Sequence, residues 1–257
     1  MSGTDHAKAA EWGGPQPAII LVEPQMGENI GAAARAMWNF GLERMRIVNP
    51  RDGWPNQKAV TMSSGAARVI DAVQVTQTTE EAVQDLNYVF ATTARGRDLT
   101  KPVVTPERAM EQARAMVAEG QNVGILFGPE RSGLENPDIA RANAIISVPV
   151  NPAFASLNLA QCVLLLAYEW RRQQGDTTPE VLELAGTKHA EAIEIQKLSE
   201  TLEARLESVG FFWPDHKAES MVTNLRNMIS RMPLTQADVR MFHGVIKSLA
   251  DKHPKSR

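Results

Sequence analysis

With 257 residues, 43% of them hydrophobic and 22% charged, the chain has room for one α/β domain and a small second unit, at a composition normal for a soluble globular protein. The apolar run at residues 162–167 is too short to span a bilayer. The one cysteine, Cys162, excludes an internal disulfide and is expected to be a small core residue. Residues 1–14 lack the basic start and apolar middle of a secretory signal, so a cytoplasmic location with no membrane partner is expected. A formal net charge of -3 is awkward for a protein that binds nucleic acid. Its distribution is uneven: residues 176–207 hold 8 acidic and 3 basic side chains, and residues 208–257 hold 4 acidic and 8 basic. A near-neutral total can therefore hide a basic face, although a mixed solvated surface accounts for the same numbers.

Short β-branched runs alternate with helical patterns as far as residue 174. Strands are predicted at Ala18–Val22, Met45–Val48, 73–75, 88–91, Val123–Phe127 and 145–150. Residues 29–40 read as an alanine-rich helix with Asn29 as its cap candidate and Gly41 as its stop. Thr105-Pro106-Glu107 is a cap followed by proline in the first helical position, and Gly120 ends that helix. Residues 156–172 read as a long helix opened by Ser156. This alternation predicts an α/β fold, a mostly parallel sheet with helices on both faces. After a polar linker at 173–179 the pattern is purely helical. Ile195, Leu198, Leu202, Leu206 and Val209 make one apolar stripe ended by Gly210, and two further helices are predicted at 221–232 and 237–249. The expected organisation is a disordered tail at 1–16, an α/β domain at 17–174, a linker at 175–187 and a helical domain at 188–257.

No phosphate loop, dinucleotide fingerprint or H-E-x-x-H occurs, there is no cysteine pair for zinc, and all five histidines lie outside the α/β region. Three segments do carry chemistry, each just beyond the carboxyl end of a predicted strand, where open α/β sheets bind ligands. Glu28-Asn29-Ile30-Gly31-Ala32-Ala33-Ala34-Arg35-Ala36 offers a helix N-terminus and one arginine; alone it reads as a capped helix. Ile125-Leu126-Phe127-Gly128-Pro129-Glu130-Arg131-Ser132-Gly133-Leu134 is a strand running into a loop. There Glu130 could bind an amine or hydroxyl if buried, or form a surface pair with Arg131. Val148-Pro149-Val150-Asn151-Pro152-Ala153-Phe154-Ala155-Ser156-Leu157-Asn158-Leu159-Ala160 leaves a strand through a double-proline loop. Helix capping by Ser156 leaves Asn158 unexplained within an apolar helix.

In that order, N-x-G-A-x-x-R-A, L-F-G-x-E-x-x-G-L and P-x-x-x-x-x-S-L-N-L-A resemble the three motifs of the SPOUT methyltransferases of the TrmH type. The likeness covers about residues 17–250. It is nearest to the bacterial branch that methylates cytidine or uridine ribose in tRNA, through Glu23-Pro24-Gln25-Met26, Ala91-Thr92-Thr93-Ala94-Arg95 and, in the tail, Leu225-Arg226-Asn227-Met228-Ile229-Ser230-Arg231. The resemblance implies an α/β-knot fold with a deep trefoil knot and a small helical C-terminal extension. It implies S-adenosylmethionine as cofactor and S-adenosylhomocysteine as product, with no metal. The cofactor would be held by Thr92, Thr93, Ala94, Gly128, Val148, Ala155, Ser156 and Leu157. Arg35 is implied to be catalytic, with Asn29, Glu130, Ser156 and Asn158 shaping the site. A further functional arginine of some relatives aligns with Gln174, beside Arg171 and Arg172, and is not assigned.

The implied partners are tRNA and a second copy of the chain, in a homodimer whose active site is completed across the interface. The implied activity is tRNA ribose 2′-O-methylation, with cytidine or uridine at position 32 of the anticodon loop as target. The alternatives are another tRNA or rRNA site, or a SPOUT-like RNA-binding protein without catalysis. Lys217, Arg226, Arg231, Arg240 and Lys247 of the tail are candidates for gripping tRNA, against a packing or dimer-stabilising role for the same helices.

Overall fold

A computed structural model of the chain describes residues 14–93, 100–175 and 184–250. The chain forms two compact units, Met1–Thr177 and Thr178–Arg257. In the first, β1 (Ala18–Val22), α1 (Gly27–Asn39), β2 (Met45–Val48), α2 (Gln57–Ser63), α3 (Ala67–Asp71), β3 (Gln74–Thr76), α4 (Thr79–Val83) and β4 (Tyr88–Thr92) come first. They are followed by β5 (Val103–Val104), α5 (Pro106–Ala118), β6 (Val123–Phe127), α6 (Asn136–Ala140), β7 (Ala144–Ile146) and α7 (Leu159–Arg172).

The strands form one sheet in the order β3-β2-β1-β6-β4-β7-β5, with every pairing parallel. β1 and β6 are buried along their whole length, as strands covered on both faces must be. Their side chains alternate between two cores. Ile19, Leu21, Ile125 and Phe127 pack into one, and Ala18, Ile20, Val22 and Leu126 into the other. The register aligns Leu21 with Phe127, Ala91 with Leu126 and Thr92 with Ile146. The loops leaving β1, β6, β4 and β7 therefore emerge side by side on one edge, where the strand order reverses.

Several boundaries differ from the sequence reading. The strand expected at 145–150 is only β7, since Pro149 has no N–H to donate to a ladder. The strand expected at 73–75 is shifted to Gln74–Thr76. Asn29 is not the cap of α1: the helix starts two residues earlier, and Met26 occupies the cap position with no side-chain bond. Ser156 does not open α7 either. That helix starts at Leu159, and the Asn158 side chain caps it by accepting from the N–H groups of Ala160 (2.9 Å) and Gln161 (3.3 Å). Capping explains the polar Asn158 that the longer helix left unexplained. Gln16, within the tail expected at 1–16, is buried, and its side-chain oxygen accepts from Glu43 N. Thr105 caps α5 as expected, accepting from Arg108 N.

α1 lies close against α2 because Gly27 and Gly31 face it. A Cβ on Gly31 would overlap the carbonyl oxygen of Ala59, and one on Gly27 would overlap the Asn56 side chain. Gly31→Ala is therefore expected to lower unfolding stability by about 1–3 kcal/mol, because backbone cannot move aside cheaply. Urea denaturation of wild type and variant measures this.

The second unit contains α8 (Ala192–Ser208), α9 (Asp215–Ser230) and α10 (Gln236–Ala250) around Leu198, Ile229, Val239 and Ile246. The stripe read on its first helix holds at Leu198, with Ile195 and Leu202 packed beside it, but fails at Val209, which is 77% exposed beyond the helix end. Arg226 is engaged within the unit: Nε and Nη2 donate to the two carboxylate oxygens of Glu203, both at 2.7 Å. It is a brace between α9 and α8 rather than a free cation.

Candidate active site

The loops that leave β4, β6 and β7 enclose a cavity of about 280 Å³. Of the residues expected to hold a cofactor, Thr92, Thr93, Gly128, Val148, Ala155, Ser156 and Leu157 line it; Ala94 lies outside the described residues. Glu130 lines it as well. Asn29, Asn158 and Arg35 do not. The remaining wall includes Ile146, Val150, Leu159 and Cys162, which carried no signal in the sequence beyond being apolar.

The walls combine apolar side chains with loop backbone. Among the described residues, the N–H groups of Val148, Ser156 and Leu157 meet no acceptor, so they are available to a ligand. Gly128 is required by its own loop. A Cβ there would strike Gly133 and the N–H of Leu134, while Gly133 N donates to Pro129 O at 2.8 Å and Gly133 takes φ +68°. The turn after β6 is thus folded tightly on itself. Burial pushes the Cys162 thiol up to about 11, so it stays neutral and poorly nucleophilic at physiological pH.

A line of hydrogen bonds joins the three sequence motifs. Glu130 Oε2 accepts from Gln25 N (2.8 Å), and Oε1 accepts from Met26 N (3.2 Å) and Asn29 Nδ2 (2.8 Å). Asn29 Oδ1 in turn accepts from Asn158 Nδ2 at 3.0 Å, and Asn158 Oδ1 caps α7. Each amide has one orientation that satisfies both neighbours, so the carboxylate at one end fixes the polarity of the whole line. Glu130 also places negative charge at the start of α1, which has no side-chain cap of its own, where free N–H groups and the helix dipole favour an anion. It makes no surface pair with Arg131, and its oxygens are occupied by protein donors. These three bonds tie the turn after β6 to the start of α1.

Arg35 sits further along α1. Six residues at 1.5 Å each put it about 9 Å beyond Asn29 and on a different face. It is exposed and, among the described residues, has no hydrogen-bond or ion-pair partner. Near Gln174, Arg172 is engaged by Glu107 and Glu169, both at 2.8 Å.

The SpoU rRNA Methylase family model matches residues 16–168, which hold all of these loops. The chain belongs to the SpoU methylase family. Its SpoU relatives include TrmJ proteins along nearly their whole length. The chain is 31% identical over 236 residues to the tRNA (cytidine/uridine/adenosine-2′-O-)-methyltransferase TrmJ of Pseudomonas aeruginosa (strain UCBPP-PA14), covering 89% of this chain and 91% of that protein. It is 33% identical over 245 residues to the tRNA (cytidine/uridine-2′-O-)-methyltransferase TrmJ of Yersinia pestis (strain Pestoides F), covering 92% and 93%. The crystal structure of TrmJ from Z. mobilis ZM4 matches with a TM-score of 0.81 at 46% identity, over 92% of this chain and 100% of that one. The fold is that of SPOUT methyltransferases, a parallel sheet with helices, followed by a helical C-terminal part.

Proposed function

We propose that this SpoU enzyme is an S-adenosylmethionine-dependent tRNA ribose 2′-O-methyltransferase, acting on cytidine or uridine at position 32. The observation that carries the reading is the line from Glu130 through Asn29 to Asn158, which ties the three motifs together beside one cavity. The cavity suits the cofactor. Apolar walls can cover a heterocycle, and the N–H groups of Val148, Ser156 and Leu157 can meet its polar edge. Thr92, Thr93, Gly128 and Ala155 complete the enclosure, with Ala94 expected to join them. When bound there, S-adenosylmethionine supplies the reactive methyl group. Keeping Cys162 protonated removes a competing methyl acceptor from the wall.

A ribose hydroxyl is a poor nucleophile at neutral pH, so the protein must place it in line and stabilise the charge that develops on its oxygen. Arg35 takes that role here: a guanidinium stays charged and can hold an oxyanion or the adjoining phosphate with two parallel N–H groups. It does not line the cavity of its own chain, which supports a homodimer in which a second copy brings Arg35 to the cavity. α7 carries Leu164, Leu165 and Tyr168 exposed on its outer face, a surface suited to a second copy. The trefoil knot belongs to the same proposal. β6 lies between β1 and β4, and β7 between β4 and β5, so two late strands insert between earlier ones, as a chain that returned through its own sheet would place them.

Incubating the full-length protein with S-adenosylmethionine and unmodified tRNA, then mapping 2′-O-methyl groups, tests the reading. Methylation at position 32 is expected. A mark elsewhere in tRNA or in rRNA moves the target and keeps the chemistry. Cofactor binding without transfer to any RNA would leave a non-catalytic RNA-binding protein.

A further inference from the structure

We infer that Arg131 is a second RNA-contacting residue of this site, holding a phosphate of the substrate at the mouth of the cavity; this rests on the reading of the protein as an RNA methyltransferase. Two charged side chains line the cavity among the described residues, Glu130 and Arg131. The charge of Glu130 is taken up by the N–H groups of Gln25, Met26 and the Asn29 amide. Arg131 is exposed and, among the described residues, has no partner. That is unusual in this unit. Apart from Arg35, its other described arginines each engage a neighbouring group: Arg51 pairs with Asp52, Arg46 with Asp85, Arg172 with Glu107 and Glu169. The two that are left over stand on α1 and on the turn after β6, the two elements that Glu130 ties together.

The backbone beneath Arg131 is fixed from both sides. Glu130 is anchored to the start of α1, and the Gly133 N to Pro129 O bond closes the turn. A long cation on a rigid turn gives up less freedom on binding than one on a loose loop. The anion that arrives beside a reacting 2′-oxygen is the phosphodiester on the neighbouring 3′-oxygen, and a guanidinium is suited to holding it through two hydrogen bonds. The cofactor's carboxylate is the other anion that could reach the cavity. The exposure of Arg131 favours the phosphate.

The test compares full-length wild type with Arg131→Gln and Arg131→Lys. It reads tRNA affinity by fluorescence anisotropy across a salt series, and S-adenosylhomocysteine affinity by calorimetry. Arg131→Gln is expected to weaken tRNA binding roughly tenfold. The slope of log affinity against log salt should fall by about one unit, with S-adenosylhomocysteine affinity unchanged. Arg131→Lys should restore the slope but only part of the affinity, because it keeps the charge and loses the fork. Unchanged tRNA affinity and slope overturn the inference. So does lost S-adenosylhomocysteine affinity with tRNA binding intact, which would assign the guanidinium to the cofactor's carboxylate. Binding is read without turnover, so an inactive wild type that still shows the slope change would sink the methyltransferase reading and leave the phosphate contact standing.

Discussion

Replacing Arg35 with alanine is expected to lower kcat on tRNA by at least about 10²-fold, the scale of losing one preorganised charge-stabilising donor, while S-adenosylhomocysteine binds as before. The separation follows from position. Arg35 projects from the exposed side of α1 and forms no part of the cavity wall, so its loss leaves that wall intact. Arg35→Lys should be nearly as poor, since a single ammonium cannot reproduce the planar fork. If the site is completed by a second copy, mixing Arg35→Ala with a cavity-blocked Leu157→Asp variant should regain activity. Each mixed dimer then holds one site with an intact cavity and an intact Arg35. Single-turnover assays on each variant and on the mixture measure this. An Arg35→Ala enzyme with wild-type turnover would end the proposal for that residue.

The second large effect is expected at Glu130. Glu130→Ala removes the acceptor for Gln25 N, Met26 N and Asn29 Nδ2 together, so the start of α1 and the turn after β6 lose their tie. Charged hydrogen bonds of this kind contribute about 1.5–3 kcal/mol, and a displacement near 1 Å at a reacting centre costs about 10²-fold in rate. Both a lower unfolding midpoint and a large drop in kcat/KM are expected. Glu130→Gln discriminates between explanations. It keeps the shape, but whichever way its amide turns, an NH2 faces an N–H donor. It should therefore fail almost as badly as alanine, whereas a glutamate that merely decorated the surface would tolerate the change. Denaturation curves and kinetics on the same preparations separate loss of fold from loss of positioning.

The two residues also show where sequence reasoning reached and where it stopped. Glu130 was legible as part of a loop beyond a strand, and the family likeness placed it in the site. Its partners at Gln25, Met26 and Asn29 lie more than a hundred residues away in sequence and follow no periodicity. Asn158 was conspicuous because it broke an apolar run, but its use as the cap of α7 depends on where the helix starts. The double-proline loop before it delays that start to Leu159. The cavity wall at Ile146, Leu159 and Cys162 was unreadable for a simpler reason: apolar residues of a core and of a pocket have the same composition.

By itself the sequence determined the parallel α/β layering, the main strands, the glycine stops and the three segments that matter, because alternation, capping and turn chemistry are local properties of neighbouring residues. Only the tertiary structure decided the strand order that sets those segments side by side, the anchoring of the start of α1 to a distant carboxylate, and the separation of Arg35 from the cavity of its own chain. These depend on register and on which side of a helix faces the sheet, and both are fixed by packing between residues that no local pattern connects.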